Sequence, residues 1–288
     1  MRTEQQMMNM ILDYAKHDAR IKLVTLEGSR TNKNIPRDSF QDYDISYFVT
    51  DIDSFKENDH WLDVFGERLI MQKPEDMELF PPELGNWFSY LMLFEDGNRL
   101  DLTLIPINEV KEYFNKSDGL VKVLLDKDEL VKSEVVANDQ RYWIKKPTAG
   151  EFDDCCNEFW WVSTYVVKGL ARREFLFAVD HLHEIVRNNL LRMMSWHIGL
   201  KKGFNFSLGK NYKFIHHYLP NEDWDSLLTT YEESSYQNIW RSLFTCYELF
   251  RKYSKYVAES IGCTYPDYDK AISKYTQNIY ELLNEERD

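Results

Sequence analysis

From Glu4 to Ala15, Met7, Met8, Ile11, Leu12 and Ala15 recur at three- and four-residue spacing, which predicts an amphipathic helix. Ile21 to Leu26 then reads as a short apolar strand stopped by Gly28, and Ile45 to Val49 as a second strand. Trp87 to Phe94 and Leu100 to Ile105 flank Asp96-Gly97, a strong signal for a hairpin. Asn108 to Phe114 predicts a helix and Leu120 to Leu125 a further strand. These elements make a sheet flanked by helices, with its strand order open.

After about Arg141 the period changes. Strand signals fade, and Thr148 followed by Glu151 forms a capping box at the head of a long helical pattern. Further helices are expected at 174–202, 210–218, 236–260 and 268–284, with breaks near Gly203, Pro220 and Pro266. Tyr236, Trp240, Phe244, Tyr247, Phe250 and Tyr253 share helical spacing and read as core. The expected fold class is α+β: a sheet-and-helix domain over 1–140, then a helical bundle domain over 141–288.

Composition narrows the function classes. Lys and Arg total 35 against 48 Asp and Glu, a net charge of −13, which repels phosphate backbones and argues against long nucleic acid as a partner. The same field concentrates small cations. No apolar run approaches the ~20 residues of a membrane span, and the polar start is unlike a targeting peptide, so the expectation is a cytoplasmic protein. Cys155, Cys156, Cys246 and Cys263 show no C-x-x-C spacing and read as reduced thiols. His181 and His183 are two apart on a helical pattern, a poor metal pair.

The chemistry is concentrated in Leu26-Glu27-Gly28-Ser29-Arg30 and Asp42-Tyr43-Asp44-Ile45. A Gly-Ser turn after a strand lets backbone approach a phosphate closely. Asp42 and Asp44, two apart on a strand, point to one face while Tyr43, Ile45 and Tyr47 face packing. Paired carboxylates repel, and a divalent cation between them explains the pair. Leu100, Leu102 and Leu104 take one face of a strand and Asp101 and Thr103 the other, so Asp101 is a third strand-borne acid that calls for a partner, and three such acids suit two Mg²⁺ ions on a nucleotide triphosphate. Each element alone is weak, since surface strands often carry D-x-D. Their order is what carries weight. A P-loop is excluded, because G-x-x-x-x-G-K-[ST] does not occur.

In that order, Gly28-Ser29, Asp42-x-Asp44 and Asp101 resemble the polymerase-β-type nucleotidyltransferases. Over nearly the whole chain the sequence is similar to the bacterial aminoglycoside 6-adenylyltransferases, through strings such as Leu23–Arg30, Gln41–Val49, Lys73–Pro82 and Glu151–Trp160. The resemblance implies an N-terminal nucleotidyltransferase domain and a helical domain that binds substrate and nucleotide. It implies a Mg²⁺-dependent enzyme that transfers AMP from ATP to the position-6 hydroxyl of streptomycin, releasing pyrophosphate and inactivating the antibiotic. Asp42 and Asp44 then bind metal, and Asp101 completes the metal site or takes the acceptor proton. Gly28, Ser29 and Arg30 serve the phosphates.

In the helical half, Glu151, Asp154, Glu158, Trp161, Tyr165 and Lys168 share a helix face. Asp154, Glu158 and Trp161 are the candidates for a bis-guanidinium acceptor, because carboxylates and rings both take planar cations. Arg192 and Lys210 are candidates for the triphosphate, Lys210 from the Ser207-Leu208-Gly209-Lys210 turn. The competing readings are a nucleotidyltransferase acting on another small-molecule or protein hydroxyl, and a catalytically idle nucleotide- or antibiotic-binding module. The sequence leaves the oligomeric state open.

Overall fold

The computed structural model describes residues 1–285. Its contacts divide the chain into two units, the first running Met1–Arg141 and the second starting at Tyr142. No helix among the described residues is long and apolar enough to cross a membrane.

The first unit is built on a six-stranded sheet in the order β3-β4-β5-β2-β1-β6. Its strands are β1 (Ile21–Glu27), β2 (Tyr43–Val49), β3 (Arg68–Gln72), β4 (Phe88–Phe94), β5 (Arg99–Pro106) and β6 (Val121–Asp126). β2 and β5 run parallel, whereas the other neighbours are antiparallel. Helix α1 (Glu4–His17) starts at a Thr3 cap, and Met7, Ile11 and Ala15 pack in one core with Val24, Ile45, Tyr47, Leu102 and Tyr90. The strand positions between these turn to the other face. There Leu23, Phe48 and Ile105 form a second core with Tyr113 of α3 (Val110–Lys116); α2 (Asp53–Lys56) is a single short turn. This alternation leaves Asp44 and Asp101 on the face away from α1.

The hairpin closes as its Asp-Gly signal requires. Gly97 has φ +80°, its N–H donates to the Phe94 carbonyl, and Phe94 N–H donates to the Asn98 carbonyl. β3 carries no strand signal in the sequence. It is an edge strand whose Leu69 and Ile70 are exposed, so burial imposes no alternation on it.

The second unit is helical. It comprises α4 (Ala149–Ala171), α5 (Phe175–His181), a π-helical turn at Leu182–Arg187, α6 (Asn188–Lys202), α7 (Asn221–Thr229), α8 (Tyr236–Ile261) and α9 (Tyr268–Glu285). The reciprocal capping box of Thr148 and Glu151 is present. α4, α6 and α8 enclose the core, in which Phe159 stacks on Phe250 at 3.7 Å and Trp160 packs against Tyr247.

Two expectations need correction. The helix expected at 174–202 is interrupted by the π turn. The helix expected at 210–218 is absent: two short 3₁₀ turns, Lys210–Tyr212 and Ile215–His217, stand there instead. Asn211 and Tyr212 adopt left-handed φ of 55° and 58°, which no α-helix accommodates. The four cysteines are free thiols, and burial raises Cys155, Cys156 and Cys246 above the ordinary range.

Candidate active site

β1 ends at Glu27, and Gly28 turns the chain into a 3₁₀ turn, Gly28–Thr31. Gly28 has φ +65°, and its N–H donates to the Leu120 carbonyl. A Cβ here would lie 2.5 Å from Asp44 Oδ2, so the position requires glycine both for conformation and for the approach of the carboxylate. The hydroxyl of Thr31 closes the turn by donating to the Gly28 carbonyl at 2.8 Å. Ser29 sits at its head, half-buried.

Arg30 takes a different place from the phosphate-side position its motif implies. Its guanidinium is buried over the Tyr43 ring at 3.7 Å and donates to the carbonyls of Asp42 (2.9 Å) and Gln41 (2.7 Å), with Glu4 at 3.3 Å. With its donors committed to the backbone that carries Asp42, Arg30 holds the loop and is not free to grip a phosphate.

Asp42 precedes the first residue of β2, so it stands at the lip of the sheet, while Asp44 lies within the strand. Parallel pairing sets Asp44 directly beside Asp101. The three carboxylates feel one another. Burial, then Asp101 and Asp42, push Asp44 up to about 6, and burial raises Asp42 against the pull of Arg99. Arg99 is the cation that pairs with them, and Arg30 adds a smaller pull. The Arg99 Nε and Nη2 donate to the two oxygens of Asp101 at 2.9 and 2.8 Å, and Nε lies 3.9 Å from Asp42 Oδ2.

Among the described residues, no three His, Cys, Asp or Glu side chains are drawn together closely enough to enclose a metal as they stand. The donor chemistry nevertheless suits Mg²⁺. Hard carboxylate oxygens gather where the two central parallel strands β2 and β5 begin, their charge is only partly offset, and a guanidinium already stands among them as a cation. Asp42, Asp44 and Asp101 are the residues that would hold the ion.

The sheet adds a residue that motif reading passed over. Antiparallel pairing of Leu26 with Ile45 sets Glu27 beyond Asp44, so Asp101, Asp44 and Glu27 make one row across three strands. The hydroxyls of Thr25 and Tyr113 donate to Glu27 Oε1, Tyr113 at 2.5 Å. Burial raises this carboxyl to about 7, opposed by those hydroxyls. A parallel row of Ser89, Thr103, Ser46 and Thr25 lies one step behind. Glu27 also lines a cavity of about 690 Å³ with Trp87, Glu109 and Tyr113. Its signal was its place: an acid on the same alternating face as Thr25, immediately before the glycine.

The raised carboxyls set a pH dependence for the metal-free protein. Asp44, at about 6 when folded against an ordinary 3.8, binds its proton more tightly in the fold. Its contribution to stability is therefore full below about pH 4 and lost as pH rises through about 6. In EDTA, Tm should fall across that window, and Asp44→Asn should flatten the fall. A wild-type profile superimposable on that of Asp44→Asn would refute the assignment.

In the second unit, the first turns of α4 face α6 across a cavity of about 790 Å³ lined by Glu151, Asp154, Glu158, Glu184, Arg192 and Tyr212, among others. Four carboxylates there meet one guanidinium, so the cavity is acidic. Asp154, Glu158 and Arg192 thus come together; Arg192 donates to Asn189 at 2.7 Å. Trp161 does not join them. It is 58% exposed and donates to the Tyr165 hydroxyl at 3.0 Å, beside His181 of α5. Lys210 is exposed at the head of a 3₁₀ turn, so the helix N-terminus expected to support a phosphate there is lacking. Glu184, Tyr212 and Asn188, which lines the same cavity, were not apparent from the sequence, because only the packing of the π turn, α6 and the 210–217 loop brings them to α4.

A Gly-Ser turn against adjoining strand carboxylates is the site architecture of a nucleotidyltransferase. The family profile described as streptomycin adenylyltransferase matches residues 1–279, and the chain belongs to that family. It is 69% identical over 280 residues to an aminoglycoside 6-adenylyltransferase of Bacillus subtilis (strain 168), covering 97% of this chain and 99% of that protein. A Staphylococcus aureus aminoglycoside 6-adenylyltransferase is 52% identical over 281 residues, covering 98% and 100%. The crystal structure of an aminoglycoside 6-adenyltransferase from Bacillus subtilis is 64% identical, covers 97% of this chain and 99% of that one, and superposes with a TM-score of 0.48.

Proposed function

We propose that this protein transfers AMP from ATP to the position-6 hydroxyl of streptomycin, with Mg²⁺ and release of pyrophosphate. The observation that carries the reading is the grouping of Asp42, Asp44 and Asp101 at the start of the central strands β2 and β5, with the Gly28-Ser29 turn against Asp44. In the reaction the acceptor oxygen forms a bond to the α-phosphorus, the bond from that phosphorus to the bridging oxygen breaks, and pyrophosphate leaves. Mg²⁺, when bound, supplies charge neutralisation for the triphosphate and for the leaving group. Asp101, which would help hold the ion, also takes the proton of the attacking hydroxyl, and Ser29 holds a terminal phosphate through its hydroxyl and backbone N–H. Gly28 lets Asp44 sit against the turn, and Arg30 fixes the loop of Asp42.

The cationic acceptor is recognised by the acidic cavity of α4 and α6. A planar guanidinium donates two parallel hydrogen bonds to a carboxylate, an arrangement that ammonium groups cannot reproduce. Asp154→Asn or Glu158→Gln should therefore weaken streptomycin about 5- to 150-fold and leave ATP binding nearly unchanged. Calorimetry with each ligand separately is the measurement, and wild-type streptomycin affinity in both variants would place the acceptor elsewhere. For the reaction itself, the protein is incubated with ATP, Mg²⁺ and a panel of aminoglycosides, and the products are weighed by mass spectrometry. An AMP adduct on streptomycin in preference to ammonium-only aminoglycosides is expected. An adduct on none of them would reject the reading.

A further inference from the structure

Arg99 stands where a metal-binding site should repel a cation. It lies on β5 two residues before Asp101, hence on the same face, and grips both oxygens of that carboxylate. Its Nε is also 3.9 Å from Asp42 Oδ2. Two of the three acids expected to hold metal are thereby held by one guanidinium. Arg30 makes the contrast: its side chain is 6% exposed and committed to main-chain carbonyls, whereas that of Arg99 is 45% exposed. The pair is bidentate but only its Asp101 end is largely buried (20% exposed), and a divalent ion competes for a carboxylate whose partner cation is half in solvent. Once displaced, the side chain remains tethered at the edge of the site, with a bidentate fork suited to phosphate oxygens.

We propose that Arg99 is a built-in counter-cation: it holds Asp101 and Asp42 apart from metal in the nucleotide-free protein, and exchanges them for the triphosphate when metal and nucleotide enter. The proposal rests on the nucleotidyl-transfer reading for its ligand. Two opposite effects follow from removing this one side chain. Metal binding to the nucleotide-free site should strengthen, because the competitor is gone. Nucleotide binding to the metal-loaded site should weaken, because a phosphate ligand is gone.

The test is calorimetry of the full chain with Mn²⁺ alone, and then with a methylene-bridged, non-transferable ATP analogue at saturating Mn²⁺. Arg99→Gln should bind Mn²⁺ about fivefold more tightly than wild type, and the analogue about tenfold or more weakly. Arg99→Lys, which keeps the charge but not the fork, should restore wild-type Mn²⁺ affinity and only part of the analogue affinity. Unchanged Mn²⁺ affinity in Arg99→Gln, or parallel weakening of both ligands, would overturn the proposal while leaving nucleotidyl transfer standing. Wild-type protein that binds neither Mn²⁺ nor the analogue would overturn both.

Discussion

Asp42→Asn and Asp44→Asn should each lower turnover by about three orders of magnitude or more while the protein stays folded. A carboxylate that holds the metal against the transferring nucleotidyl group supplies several kcal/mol of charge stabilisation, and ~1.4 kcal/mol is tenfold in rate. The fold does not need these charges. Both face away from the α1 core, and burial together with the neighbouring acids already makes the ionised form of Asp44 costly. The amide variant at 44 should therefore melt at or above wild type in EDTA. Turnover assays paired with circular dichroism check both halves of the expectation. Near-wild-type turnover in either folded variant would remove that residue from the chemistry.

Gly28→Ala should also be damaging, by a different route. The added methyl falls 2.5 Å from Asp44 Oδ2, and the φ of +65° is itself unfavourable for alanine. The strain should cost about 1–2 kcal/mol of stability, read from urea unfolding. Displacing Asp44 by ~1 Å should cost turnover about 100-fold, because placement of a ligand near the reacting atoms dominates catalysis. The two effects are separable: a variant that unfolds at lower urea but turns over normally would show that the turn tolerates the methyl without moving Asp44.

Much of this site is visible in one dimension, and its limits are physical. Tyr43, Ile45 and Tyr47 alternate with Asp44 because one face of β2 packs against α1 along its whole length, whereas the other enters its core only at Phe48, so period-2 patterning set the acid apart. The Thr148 cap and the Asp-Gly hairpin rest on contacts a few residues apart and were equally legible. Register between distant strands leaves no such trace. That Asp44 lies beside Asp101, and Glu27 beyond Asp44, follows from pairing β5, β2 and β1, which local sequence does not encode. The role of Arg30 was misleading for the same reason: a basic residue after Gly-Ser suggests phosphate until the Gln41 and Asp42 carbonyls are found around it. At 210–218, apolar spacing predicted a helix, but backbone conformation at Asn211 and Tyr212 overrode it. The residues read as one acidic face of α4 divide in the fold. Its first turns line a cavity, while Trp161 belongs to a separate exposed aromatic contact with Tyr165.

The central claim is that a nucleotidyl group moves from ATP to streptomycin with attack at the α-phosphorus. Parallel reactions with ATP labelled at the α- and at the γ-phosphate test it most directly. The account predicts that the α-label appears on streptomycin, with the γ-label recovered in pyrophosphate in equal amount and both lost in Asp42→Asn. Transfer of the γ-label to streptomycin, or consumption of ATP with neither label on the antibiotic, would contradict it.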